Sequence, residues 1–188
     1  MNTNIIKIDT PLERRVVRAL KAGDRVLLSG EILVFRDQVH RILYDMICKG
    51  SPLPFSLKDA VLYYCGPTPA RHGMPVGSAG PTTASRMDKY MDWIIEQGVA
   101  VTIGKGDRSP EVIELHKKYH AVYMAAVGGT GALLAKHVSA STVIAFPELG
   151  TEAARIFKVT DMPLIVAIDS RGNSAFFKGE RIKANKCS

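Results

Sequence analysis

Cysteine is scarce and scattered, with Cys48, Cys65 and Cys187 the only three in 188 residues. They form neither a CxxC pair nor the dense spacing of a disulfide framework. No apolar run approaches the roughly 18–20 residues that a membrane span needs. The opening MNTNIIKIDTPLERR lacks the basic, apolar and cleavage regions of a secretory signal. Trp93 is the single tryptophan, and its helical setting offers no platform on which nucleic-acid bases would stack. No run of five or six basic residues occurs either, and no nucleic-acid-binding motif is present. These absences predict a cytoplasmic chain without disulfides, membrane or nucleic acid. What remains is an excess of 25 Lys and Arg over 18 Asp and Glu, a formal charge of +7, which suits a small anionic ligand or an acidic partner surface.

Length and composition, 46% hydrophobic and 23% charged, fit one globular domain over 1–188 with a substantial core. Residues 12–23 predict a short helix ending at Gly23, and 26–37 predict strand-like apolar runs broken at Gly30. Residues 38–50 follow as a helix with Val39, Ile42, Leu43 and Met46 on one face. Beyond a proline-rich connection at 51–55, short apolar strands are expected at 60–66, 100–106, 121–129 and 142–148. Helical patterns separate them at 83–97, 110–119 and 130–138. Such alternation argues for an α/β fold with a mainly parallel sheet covered by helices. PLIVAIDSRGNSAFF, two apolar runs around Ser170–Asn173, adds an antiparallel hairpin.

The stretch CGPTPARHGMPVGSAGPTTASRMDK (65–89) leaves a predicted strand, runs through a long Gly/Pro-rich loop and enters a helix at Thr82 or Thr83. Loops beyond the strand ends of parallel sheets are where ligands bind, and this one is long for a mere connection. Either threonine suits an N-cap. Arg86, one turn on, sits unfavourably against the positive end of the helix dipole unless it turns to solvent or an anion binds there. Arg36, just after the run ILVF, and Lys105, between glycines after AVTI, also follow strands. Arg36, Arg86 and Lys105 converging on one pocket would suit a molecule with two carboxylates, each oriented by a cationic side chain.

SGEILVFRDQVH, CGPTPARHGMPVGSAGPTTASRMD, the GKG at 104–106 and FPELGTEA at 146–153 together resemble the iron–sulfur class I hydro-lyases. The resemblance is to the C-terminal catalytic domain of class I fumarate hydratase, equivalent to the beta subunit of two-subunit forms and of L(+)-tartrate dehydratase. It runs from about residue 10 to the end. It implies a swivelling β/β/α fold and reversible hydration of fumarate to malate, or the analogous dehydration of tartrate. It implies that Thr82 is the base, and that Arg36, Arg86 and Lys105 bind the substrate carboxylates. Hydroxide is a poor leaving group, so such chemistry draws on a metal. The resemblance puts a [4Fe–4S] cluster on a partner alpha subunit, in a heterodimer or heterotetramer, and none of it on this chain. The isolated chain, as half a site, is expected to expose an interface through which it can self-associate.

Other candidates read as structural. His116 and His120 lie four apart on a predicted helix without the glutamate of HExxH, and their position near its C-terminus is explained by the dipole and exposure. His40 and His137 are expected on helix faces, Cys48 on the core side of its helix, and Cys65 at a strand end. GGTGALL (128–134) lacks the Lys-Ser/Thr of a P-loop and reads as tight strand–helix packing. Met87, Tyr90, Met91, Ile94 and Ile95 form a core stripe. Ser85 and His72 receive no role. The competing reading is an anion- or nucleic-acid-binding module without chemistry, and wide dispersal of Arg36, Thr82, Arg86 and Lys105 would favour it.

Overall fold

Each of the central strands is apolar along its length, as strands covered on both faces must be. The computed structural model of the chain describes residues 5–70, 72–127 and 129–176. Seven strands form one mixed sheet: β1 (Ile5–Asp9), β2 (Arg25–Val34), β3 (Val61–Tyr63), β4 (Val101–Gly104), β5 (Val122–Ala125), β6 (Val138–Ala145) and β7 (Ala154–Ile168). Five α-helices accompany them: α1 (Arg14–Ala19), α2 (Asp37–Cys48), α3 (Met91–Glu96), α4 (Pro110–Tyr119) and α5 (Gly131–Ala135). Two 3-10 segments, Ala84–Tyr90 and Pro147–Glu152, complete the elements.

β1 to β5 pair in parallel in chain order. β7 runs antiparallel to β2, β5 and β6. The pairings β2–β3–β4–β5–β7–β2 therefore close a ring, with β1 and β6 as outer extensions. Alternate residues of the strands separate two cores. Val26, Leu28, Tyr63, Ile103, Met124, Phe157 and Val166 pack on one side with Val17 of α1 and Leu134 of α5. Leu33, Leu62 and Tyr123 pack on the other with Val39 and Leu43 of α2, Ile94 of α3 and Val112 of α4. The core stripe expected of 83–97 is real: Met87, Met91, Ile94 and Ile95 are buried.

Several boundaries differ from expectation. Gly30 does not break the strand at 26–37; it is a bulge inside β2, where the register slips between Leu28 and Gly30 and the backbone lies against Thr10. The helix at 83–97 is a 3-10 segment running into the short α3. The helix at 130–138 stops at Ala135, and the strand expected at 142–148 begins earlier, at Val138, antiparallel to its neighbour. The antiparallel element expected as a hairpin is the 15-residue β7. The turn at its end is present, closed by Gly172 N–H donating to the Asp169 carbonyl and a bridge between Ile168 and Ser174. The segment after Phe176, Cys187 included, lies outside the described residues.

The readings of His116, His137 and Cys48 are also corrected, whereas His40 does lie on a face of α2 and His120 is exposed at the end of α4 as expected. His116 is fully buried, with Nδ1 2.7 Å from the Val112 carbonyl, so exposure does not explain it. His40 is buried against Phe35, Tyr64, Tyr90 and Trp93. His120 is the left-handed C-cap of α4, and His137 is half-buried beside the Thr160 carbonyl. Cys48 is exposed at the end of α2 rather than on its core side.

Candidate active site

Three of the parallel strands deliver the site at their C-terminal ends. β2 ends at Val34; the buried Phe35 anchors the chain, and Arg36 follows in extended backbone as the residue before α2. After β3 the chain leaves on loop 65–81, which doubles back on itself through bridges Thr68–Ser78 and Cys65–Pro81. The Tyr63 hydroxyl ties the returning arm by donating to the Ala79 carbonyl. The far end of the loop, with His72, is exposed and away from the site.

The returning arm inserts Thr82 between the continuations of β3 and β4. Thr82 N–H donates to the Tyr64 carbonyl at 2.7 Å, and the Thr82 carbonyl accepts from Lys105 N–H at 3.1 Å. Ala84 N–H then donates to the Lys105 carbonyl at 2.8 Å. Gly104 permits this: a Cβ there would sit 3.0 Å from Ala84 Cβ and 3.2 Å from the Thr82 carbonyl oxygen. Thr82 is thus a buried, strand-like residue whose hydroxyl does not cap a helix. Thr83 occupies the cap position but makes no side-chain cap bond either. Both N-cap readings are replaced. The Thr82 hydroxyl instead faces Arg36, whose Nη1 donates to Oγ1 at 3.5 Å.

Arg36 is held in place on two further sides. Its Nε donates to Glu152 Oε1 at 2.9 Å. Its guanidinium lies on the Gly66 backbone, where a Cβ would come within 2.7 Å of Nε and 2.8 Å of Cζ. Arg86, on the first 3-10 segment, is exposed but does not stand alone. Its Nε and Nη2 donate to the two oxygens of Asp37 at 3.2 and 2.6 Å, the forked geometry that fixes a guanidinium in plane. Lys105 has no ion pair among the described residues. Ser85, on the same 3-10 segment as Arg86, is exposed.

Arg36, Thr82, Arg86 and Lys105 together line one open cleft of about 400 Å³, with Ser78, Gly80, Pro81, Thr83, Gly129 and Gly131 as its other walls. The lining carries three cations and no acidic side chain. Gly131 packs on the Gly80 backbone, and Ala79 N–H donates to the Gly131 carbonyl at 3.0 Å. Within GGTGALL, Gly131 is thus closely packed, but against the returning arm of loop 65–81 rather than against a strand. Beneath the site, Arg108 is fully buried between the rings of Tyr64 and Tyr123, and its Nε donates to Asp88 at 2.6 Å. Cys65 is buried beside Arg36; burial pushes its thiol up to about 12, against the opposing pull of that guanidinium.

Glu152 and Asp37 carry no signal of their own in the sequence. Asp37 stands next to Arg36 in FRD, and Glu152 inside FPELGTEA, so each lies in a distinctive motif; the arginine that each holds is visible only in the fold. No group of three or more His, Cys, Asp or Glu side chains among the described residues is gathered to hold a metal ion.

Residues 1–179 match the sequence profile of the family described as Fumarase C-terminus. The chain belongs to the fumarase C-terminus family. It is 38% identical over 184 residues to fumarate hydratase 2 of Leishmania major, covering 95% of this chain and 32% of that protein. It is 37% identical to the aerobic class I fumarate hydratase of Salmonella typhimurium, covering 87% of this chain and 28% of that one. A Methanocaldococcus jannaschii protein provisionally named L(+)-tartrate dehydratase subunit beta is 36% identical, with 88% of each chain covered. The chain thus spans about a third of the length of those fumarate hydratases and nearly all of a protein named as a beta subunit. No helix among the described residues is long and apolar enough to cross a membrane.

Proposed function

We propose that this chain is the beta subunit of a two-subunit iron–sulfur hydro-lyase that hydrates fumarate to malate reversibly in the cytoplasm. The observation that carries this reading is the cleft itself, with three cationic side chains around one buried threonine hydroxyl and no acidic lining. A dianion is the natural ligand of such a surface. Arg36, Arg86 and Lys105 bind and orient the two carboxylates of a four-carbon diacid. In the dehydration direction the Thr82 oxygen takes the proton from the carbon beside one carboxylate as hydroxide leaves the next carbon. In the hydration direction it returns that proton. A threonine hydroxyl is far too weak an acid to do this unaided, and cations stabilise its alkoxide. Arg36, within reach of Oγ1, is the nearest of them.

The cluster that the family resemblance implies has no ligand set on this chain's described residues: Cys65 is a buried, high-pKa thiol just after β3 and Cys48 is exposed at the end of α2. In this reading the cluster, which supplies Lewis acidity at the leaving hydroxyl, belongs to a partner alpha subunit. Its approach completes the cleft. Residues 1–188 act as one domain, and the closed sheet is of the swivelling β/β/α type. Tartrate is the second substrate reading, favoured by the matching length of the Methanocaldococcus jannaschii relative.

The deciding experiment is anaerobic co-production with a cluster-bearing alpha subunit, followed by assays of malate and tartrate dehydration with each chain alone and with both. Malate turnover that requires both chains is expected. Turnover of tartrate alone moves the assignment to tartrate dehydratase. Failure of the chains to assemble, with no turnover, returns the cleft to a non-catalytic anion-binding site.

A further inference from the structure

We propose that Glu152 is a positioning residue that aims the Arg36 guanidinium at the Thr82 hydroxyl; the role rests on the hydro-lyase reading of the cleft. Glu152 is not among the residues that line the cleft. Its reach is through Arg36. The guanidinium is fixed at three points: Nε by Glu152 at 2.9 Å, Nη1 by Thr82 Oγ1 at 3.5 Å, and its face by the Gly66 backbone. Occupying Nε leaves the Nη groups free for the hydroxyl and for a carboxylate. Asp37 treats Arg86 differently, taking both Nε and Nη2.

The segment that presents Glu152 is built at a conformational cost. Phe146 precedes it with φ +57°, in the left-handed region that non-glycine residues rarely adopt. The 3-10 segment Pro147–Glu152 is kinked at Gly150, and Arg155 Nη2 donates to the Gly150 carbonyl at 3.0 Å to hold the turn. Phe146 and Leu149 pack partly buried on the core that includes Phe35 and α2. Strained backbone of this kind persists where the surroundings over-determine it and clusters at functional sites. As a bare ion pair, with side chains 28% and 23% exposed, Arg36–Glu152 would contribute little to stability. Its geometric effect on Arg36 is the larger consequence. The inference also gives FPELGTEA, 110 residues and more from FRD, a task in the same site.

The test uses the assembled two-subunit enzyme with Glu152→Ala and Glu152→Gln. Alanine releases Nε, and kcat should fall about ten- to a hundred-fold, the scale of a misplaced catalytic group. KM for the diacid should move less, because Arg86 and Lys105 are untouched. Glutamine still offers an oxygen to Nε and should restore most of the loss. The crystal structure of the assembled Glu152→Ala protein should show the Arg36 guanidinium turned from Thr82. An alanine variant with wild-type kcat, a glutamine variant as poor as alanine, or an unmoved Arg36 each overturns the proposal. If the wild-type assembly turns over no diacid, the hydro-lyase reading fails instead, and the position of Arg36 in the variant still decides whether Glu152 sets it.

Discussion

On the proposed reading, a single hydroxyl group is where this site concentrates its chemistry. Thr82 is buried, its backbone is committed on both sides to β3 and β4, and its side chain has Arg36 for a neighbour. Thr82→Ala should lower kcat by about 10²- to 10⁴-fold, the range of a lost general base, with little change in melting temperature. Thr82→Ser should keep most of the activity; steady-state kinetics beside thermal melts separates the cases. Gly66 makes a different prediction. The atoms nearest to a methyl there belong to the movable end of Arg36, so Gly66→Ala should fold with near-normal stability in urea titrations and lose activity as the guanidinium is displaced. Gly131→Ala meets the Gly80 backbone at 3.1 Å, which cannot swing aside, so its deficit should be in stability. The sequence could nominate Arg36, Thr82, Arg86 and Lys105 because each follows a strand or enters a helix in a distinctive motif. Glu152 and Asp37 were beyond it. Their importance lies in which arginine each touches, and a contact between residues 36 and 152 leaves no local trace in either segment.

Among the elements, the first 3-10 segment and the turn after β4 carry Arg86 and Lys105, and one buried pair joins them. Asp88 accepts from Arg108 Nε at 2.6 Å and from Ser109 N–H at 2.9 Å. With the Arg108 side chain fully buried, Asp88→Asn leaves an uncompensated cation in the interior. It should destabilise the fold by about 3 kcal/mol or more, read as a shift in the denaturation midpoint. Legibility at this scale followed local signals. α4 spans Pro110–Tyr119, as its pattern predicts, because Ser109 caps it, proline opens it and apolar residues recur on one face. The first half of β7 gave no such signal. Arg155, Lys158, Thr160 and Asp161 leave it no continuous apolar run, and Asp161 adopts φ +47°. Its strand character comes from two partners, β2 and β6, which lie elsewhere in the chain. Tertiary pairing overrode the local sequence there.

For the whole molecule, the two buried imidazoles set the response to acid. Burial lowers His40 and His116 from 6.5 to about 4 each. Both are therefore neutral in the folded chain at pH 5, whereas the unfolded chain takes up protons below about 6.5. Stability should be level from about pH 6.5 to 8, fall as pH drops from 6.5 towards 4, and lose a few kcal/mol in total across that lower range. Urea unfolding at pH 7 and pH 5 measures the slope, and His40→Phe or His116→Leu should each flatten it. The ring of strands has a consequence of another kind, in the order of assembly. β2 waits for β7 along nearly its whole length, from Arg25 opposite Ile165 to Val34 opposite Arg155, and β7 also closes on β5. No shorter circuit joins the last parallel strand to the second. A nascent chain released only as far as β5 holds an open sheet with two unsatisfied edges, and contacts of such long sequence separation form slowly. The arginine just after β2 and the glutamate just before β7 meet only when that final strand is in place. The cleft is therefore completed only once β7 is docked, by the same closure that pairs the free sides of β2 and β5.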